Sequence, residues 1–436
     1  MVFHMSESTS PSAGHSPSRR TFVKTAAAVG AVAAFDSVTL RSAHAAGSDQ
    51  IKVGLVGCGG RGTGAAVQTL RADGYTKLVA MADVFQDQLD RSLKAIKSTN
   101  VADRVDVPKE QQFVGFDAYK QLLEADVDLV CLATPPHFRP AHFKAGIEAG
   151  KHMFVEKPVA VDAPGVRSVL ETTELAKKKN LTVLSGLCWR YDTNMIEMVK
   201  MLQEGALGDI SSVVTQRFNG GVKNTPRQEG WTDMEYQLRN WYYFTWLSSD
   251  FMAEQFVHEL DNVAWLLGDE YPTKISATGG RQSRTGKEFG HIFDHFAVTF
   301  EYGDGKRVYA QTRQAPGCSN ENSVIALGSK GVCDVRAYRI TGENSFQMKP
   351  KRTVMHQLEH DAMYAALRRG EILNNGEYMA KSSLMGIAGR MAAYTGKTLT
   401  WEQCLNSKEK LGPDTYDWDA PLPEPPVAIP GVTPFI

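Results

Sequence analysis

The 436-residue chain has no Cys-x-x-Cys pair; its six cysteines stand far apart, at 58, 131, 188, 318, 333 and 404. That spacing indicates neither a zinc cluster nor a disulfide-dense scaffold, so the cysteines read as small buried hydrophobes and no metal ligands are nominated. Charge of one sign is also lacking: 48 Lys and Arg against 49 Asp and Glu leave a formal net charge of -1. Nucleic acid or an anionic membrane would require a basic surface that this balance does not supply. No internal repeat is apparent, and the mild apolar run at 26–35 is too short to cross a bilayer. What is present, 42% hydrophobic and 22% charged residues over this length, is enough to build two folded domains, each with its own core.

The first 46 residues differ from the rest. A Ser/Pro/His-rich stretch leads to Ser18, Arg19, Arg20, Thr21, Phe22, Val23 and Lys24, then to the short apolar run, and Ala43-His44-Ala45 offers small residues for cleavage. This resembles a twin-arginine export signal, which implies an exported, periplasmic protein without stable membrane insertion once the signal is removed. Such export carries folded proteins, so a firmly held cofactor could be loaded beforehand.

From Ile51 a short apolar strand runs into Gly57-x-Gly59-x-x-Gly62, followed by the helical Ala65, Ala66 and Val67. Gly57 permits a tight turn, Gly59 lets backbone N–H groups approach a pyrophosphate, and Gly62 lets the helix pack on the strand. Gly60 and Arg61 lie within the same turn. A second strand at 78–82 ends in Asp83, 21 residues after Gly62, where a carboxylate would accept bonds from the adenosine ribose and repel a 2'-phosphate. NAD is therefore favoured over NADP. A third strand at 127–133 precedes Thr134, Pro135, Pro136 and His137; a helix ending at Gly150 leads to a segment closing on Glu156-Lys157-Pro158, and a helix at 165–178 and strand at 181–186 follow. This alternation predicts a Rossmann-type, doubly wound parallel sheet over 51–187.

The fingerprint, the Ala-Thr-Pro segment, the Glu156-Lys157-Pro158 run and His258-x-x-Asp261 together resemble the Gfo/Idh/MocA family (glucose-fructose oxidoreductase and inositol dehydrogenase) over 51 to about 401. The resemblance implies NAD contacts from Thr134, Pro135, His137 and Glu156, and places Lys157 beside the nicotinamide and substrate. It also implies a homo-oligomer, dimer or tetramer, built through an open sheet face.

After Arg190 the pattern changes to an α+β domain over 188–405, with a helix at 193–204 and strands at 210–218, 273–278, 293–302, 307–312 and 323–327 forming a largely antiparallel, open-faced sheet. A continuous helix at 248–267 would put Glu254 and His258 on one face, where the carboxylate orients the imidazole for proton transfer. The family usually has Asp at the position of Glu254. Asp261 serves the fold or the neighbourhood of Lys157, and Arg190 reads as a substrate contact or a hinge ion pair. Seven aromatics at 231–246, Tyr242 and Tyr243 the polar-tipped ones, suit a carbohydrate platform, a core or an interface. No role is assigned to Arg139; His142 and His152 read as structural. Helices at 355–369 and 382–394 follow, and the seven prolines of 412–436 predict an extended arm over 406–436, suited to wrapping a neighbouring subunit.

The expectation is an exported NAD-dependent oxidoreductase acting on a small carbohydrate, with Lys157, His258 and Glu254 as its catalytic groups. The rivals are a glycosidase that uses retained NAD to oxidise the sugar transiently, and a non-catalytic sugar-binding protein. No pair of carboxylates suited to ordinary glycoside hydrolysis stands out.

Overall fold

The computed structural model describes residues 50–436; the twin-arginine segment lies outside them. Six strands form the first sheet: β1 (Ile51–Val56), β2 (Thr76–Asp83), β3 (Gln112–Val114), β4 (Leu129–Leu132), β5 (His152–Val155) and β6 (Val183–Ser185). β1, β4 and β5 are buried almost throughout. Covered on both faces, they read as continuous apolar runs instead of alternating ones. The strand order is β3-β2-β1-β4-β5-β6, parallel at every pairing. Helices α1 (Gly60–Ala72), α2 (Gln86–Lys97), α3 (Ala118–Glu124), α4 (Arg139–Glu148) and α5 (Ala163–Lys178) make the crossovers. The order reverses between β1 and β4, and there the loops at the strands' carboxyl ends diverge to leave a crevice. The three-residue β3 escaped sequence reading because it is too short to show a strand pattern.

After α6 (Thr193–Gln203) comes the second sheet, begun by β7 (Ile210–Asn219). It continues with β8 (Lys274–Gly280), β9 (His295–Glu301), β10 (Arg307–Gln314), β11 (Glu321–Gly328), β12 (Gly331–Asp334), β13 (Arg339–Gly342), β14 (Phe346–Gln347) and β15 (Leu399–Thr400). The nine strands are ordered β14-β13-β12-β11-β7-β10-β9-β8-β15, antiparallel except where β7 meets β10. Along β9 and β10 buried residues alternate with exposed ones, and Tyr309 stands on the exposed face. The Rossmann sheet and the largely antiparallel sheet are those the sequence predicts.

The segment before β8 departs from expectation. After α7 (Asp233–Arg239) and α8 (Thr245–Ser248), the one helix expected at 248–267 is divided into α9 (Asp250–Glu254) and α10 (Val257–Leu266). The break between α8 and α9 has a cause: Ser249 and Asp250 are left-handed, at φ 59° and 67°. The buried Asp250 carboxylate holds this turn by accepting from the N–H of Phe251 (2.6 Å) and Phe293 (2.9 Å) and from the Tyr394 hydroxyl (2.5 Å). Burial raises this carboxyl to about 6.

The chain then returns toward the first sheet. α11 (Met355–Arg368) packs on α1, and α12 (Gly376–Thr395), buried along nearly its whole length, lies against α5, α9 and α10. A Cβ on Gly386 would come within 2.6 Å of Ala253 Cα, so this glycine sets how closely α12 supports α9. Beyond α13 (Trp401–Asn406) the proline-rich arm lies along its own chain: Leu411 N–H donates to Asp162, Trp418 lies against Phe116 and Phe85, and Gln237 donates to the Leu422 carbonyl.

Candidate active site

A cavity of about 510 Å³ opens at the crevice between β1 and β4. Of the residues nominated for the cofactor, Gly57, Gly59, Gly60, Arg61, Asp83, Thr134, Pro135, Glu156 and Lys157 line it. Gly57 has φ 95°, and a Cβ there would lie 2.5 Å from Thr134 N; no other residue fits this turn. Gly62 is absent from the wall. A Cβ on it would fall 1.8 Å from the Gly57 carbonyl oxygen, so its part is the close packing of α1 on the turn.

The residues fit a dinucleotide. Gly59 and Gly60 face open space, and α1 begins with no side-chain cap and no acidic residue in its first turn, which leaves N–H groups for a pyrophosphate. Asp83 accepts from Cys58 N–H (2.6 Å) and Phe85 N–H (2.9 Å), bonds that fix its carboxylate toward the cavity with lone pairs left for ribose hydroxyls. Burial raises its pKa. Phe85, Gln88, Phe116 and Tyr119 complete this end.

At the other end, Lys157 Nζ donates to the Glu254 carbonyl at 2.6 Å and lies 3.1 Å from the Glu254 carboxylate. This corrects the expected Glu254–His258 pair. The chain breaks at Gln255 and Phe256 between α9 and α10, so i,i+4 geometry does not apply, and Glu254 turns to the lysine. His258 lines the same cavity with its Nδ1 buried and without a hydrogen-bond partner among the described residues. Burial first, then the nearby Lys157 charge, hold its pKa well below the usual imidazole value. Glu156, 2% exposed, pairs with Arg61 at 3.0 Å and accepts from Lys157 N–H. Arg139, left without a role by sequence, is buried in the wall and donates to the Pro158 carbonyl at 2.5 Å. It thereby fixes the backbone just past Lys157.

The other nominated residues lie off the cavity. Arg190 is locked in an ion-pair network with Asp261 (2.8 Å) and Asp269 (2.6 Å), stacked on Tyr378, while Ser382 donates to Asp261; neither Arg190 nor Asp261 lines the cavity. Tyr242 is buried, its hydroxyl bonded by Gln314, and Tyr243 donates to the Val222 carbonyl. The aromatic run is therefore mostly core, since its own hydroxyls are satisfied internally. Of it, Trp241 alone reaches the wall. His137 is kept from the cofactor by the arm: its Nε2 is 2.8 Å from the Tyr416 hydroxyl, and its ring lies edge-on to Trp246. Sequence reasoning missed Arg217, Arg239, Gln255 and His356, which do line the cavity. Arg217 carried a signal, being the one charged residue in the strand predicted at 210–218.

The family model for "Oxidoreductase family, NAD-binding Rossmann fold" matches residues 51–187, and that for the GFO/IDH/MocA C-terminal domain matches 195–334. The chain belongs to the Gfo/Idh/MocA family. It carries that family's NAD-binding domain. Among curated proteins it is similar to 2,7-anhydro-N-acetylneuraminate hydratase of Escherichia coli (strain K12), 25% identical over 58% of this chain and 64% of the relative. It is also similar to inositol 2-dehydrogenase 3 of Saccharopolyspora erythraea, 28% identical over 59% of this chain and 65% of the relative. A glycosyl hydrolase family 109 protein of Streptomyces coelicolor is 29% identical over 37% of this chain and 33% of the relative. The chain thus spans less than two thirds of these relatives' length. In fold it resembles aldose-aldose oxidoreductase from Caulobacter crescentus (TM-score 0.63, 18% identity, 80% of this chain and 99% of that one). It likewise resembles the WlbA dehydrogenase from Bordetella pertussis in complex with NADH and UDP-GlcNAcA (TM-score 0.62, 20% identity, 80% and 98%).

Proposed function

We propose that this Gfo/Idh/MocA protein is an exported oxidoreductase that holds NAD firmly and acts on a sugar or sugar derivative. The observation that carries the reading is the convergence of the Lys157–Glu254 pair and the unpartnered His258 on the wall of the cavity that begins at the glycine turn. NAD, when bound, supplies a hydride acceptor. The chain supplies the rest. The His258 imidazole, neutral at ordinary pH, accepts the hydroxyl proton of the reacting carbinol, and the Lys157 ammonium holds the oxygen as it becomes a carbonyl. Burial and Lys157 disfavour the imidazolium, which keeps the imidazole neutral before the proton arrives. Glu254 anchors the ammonium through both its carbonyl and its carboxylate. Export and firm retention support each other, because a cofactor that had to be exchanged for free NAD would be scarce outside the cytoplasm.

A second reading is net glycoside hydrolysis through transient oxidation of the sugar, elimination, water addition and re-reduction. It is supported by the similarity to the family 109 glycosyl hydrolase and the hydratase, and by the state of the cavity's carboxylates. Glu156 is paired with Arg61 and Glu254 with Lys157, so these two are not free as an ordinary acid–nucleophile pair.

The test starts from full-length protein purified after export. NAD(H) released on denaturation should approach one per chain; protein that carries none and binds none removes both readings. Glycosides are then incubated in deuterated water. Ketone or lactone product supports the dehydrogenase, whereas free sugar with deuterium beside the oxidised carbon supports the hydrolase. We further propose a homo-oligomer joined through the exposed face of the second sheet, which light scattering on the mature protein checks.

A further inference from the structure

Behind the reactive end of the cavity, Cys188, His356 and Glu359 form a cluster that the proposed reaction does not use. Cys188 begins the short turn after β6, and His356 and Glu359 lie one turn apart at the start of α11. One donor atom from each falls within 4.8 Å of the others. His356 Nε2 is 4.0 Å from Cys188 Sγ, and its Nδ1 is 3.4 Å from Glu359 Oε1. We propose that Cys188, His356 and Glu359 are the three protein ligands of a divalent transition-metal site, for zinc before other metals, with its fourth position open to the cavity.

Three observations carry this. The donor set of thiolate, imidazole and carboxylate is one that zinc accepts, with three protein ligands and an open position. Bonds of about 2.0–2.3 Å put tetrahedral ligands roughly 3.5 Å apart, so the three donor atoms, within 4.8 Å of one another, have to draw together on binding. The second observation is an unanswered polar atom: Glu359 is fully buried, and its Oε2 has no hydrogen-bond partner among the described residues. Its neighbour Glu156 is already engaged with Arg61. Such an atom costs about 1–3 kcal/mol unless something meets it, and a cation would. The third is access, since His356 itself lines the cavity, so water from the cavity can complete the shell.

The exchange balances. Zinc binds a thiolate and a carboxylate, so an entering dication takes the place of any proton these two groups carry, and the two negative ligands leave the cluster neutral. The site does not depend on the sugar chemistry, and its test needs no turnover.

Full-length, NAD-loaded protein is stripped with a chelator and titrated with cobalt(II), then with zinc. The expected result is one metal per chain, proton release on binding, and a near-ultraviolet thiolate-to-cobalt band that zinc abolishes. Cys188→Ala should remove the band, and Glu359→Gln should weaken binding at least tenfold. Should the buried variants fail to fold, His356→Ala, at a half-exposed position, should still lose the metal while keeping its circular dichroism. Absence of stoichiometric metal, or a cobalt band that survives both Cys188→Ala and His356→Ala, overturns the assignment.

Discussion

Lys157 is held to Glu254 twice, by the backbone carbonyl at 2.6 Å and by the carboxylate at 3.1 Å. The two contacts separate position from charge. Glu254→Gln keeps the carbonyl anchor and removes only the negative charge, so it should lower kcat about tenfold. Lys157→Ala removes the group that meets the substrate oxygen and should cost roughly 100-fold to 10,000-fold. NAD content should stay unchanged in both. Equal losses would mean that the carboxylate, not the ammonium, does the chemistry.

His258 sets the expected pH dependence. Its pKa is depressed by burial and by Lys157, so the neutral, proton-accepting form persists well below pH 6.5. For sugar oxidation kcat/KM should therefore show no decline attributable to this group between pH 8 and 6.5, and its acid limb should lie lower. His258→Gln should lower the rate and abolish that limb. A limb centred near 6.5 in the native enzyme would place the imidazole in a wetter setting than the structure has.

Gly60 and Gly62 are two residues apart yet should fail differently. A methyl on Gly62 would meet the Gly57 carbonyl at 1.8 Å, whereas one on Gly60 meets nothing within 4 Å. Gly62→Ala should destabilise the fold by about 1–3 kcal/mol or more, since backbone must move. Gly60→Ala should leave the melting temperature in place and weaken NAD binding, because Gly60 faces the cavity. Thermal unfolding beside NAD titration distinguishes them.

These contrasts also mark what could be read in advance. The Rossmann half was legible because each glycine and Asp83 has a local job at fixed spacing, and β1, β4 and β5 are apolar runs. The Lys157 end was legible only in its members. That Glu254 serves Lys157 and not His258 depends on the break at Gln255 and Phe256 between α9 and α10, which no local glycine or proline marks. Tyr242 and Tyr243 had the composition of a sugar platform, yet Gln314 and the Val222 carbonyl satisfy them in the core. His356 went unnoticed because Glu359 alone is local to it, one turn along α11, and Cys188 is met only once α11 returns to the first half of the chain.

The arm should govern how long NAD stays bound. Trp418 lies 4.8 Å from Phe116 and 5.6 Å from Phe85, ring to ring, and Tyr416 stacks on Phe116 at 5.4 Å; both phenylalanines line the Asp83 end of the cavity. Trp418→Ala should therefore raise the NAD dissociation rate several-fold at unchanged turnover of bound enzyme. His137, beneath the same arm, makes this docking pH-dependent: burial lowers its pKa to about 4. Between pH 6.5 and 4 the undocked imidazole takes up a proton that the docked one refuses, so docking has its full strength above pH 6.5 and weakens as pH falls through that window. NAD release should accelerate on acidification from pH 7 to 5 in the native protein and lose this dependence in His137→Gln. The check is stopped-flow displacement of NAD(H), followed by its fluorescence. An unchanged rate in Trp418→Ala would leave the arm a packing element with no hold on the cofactor.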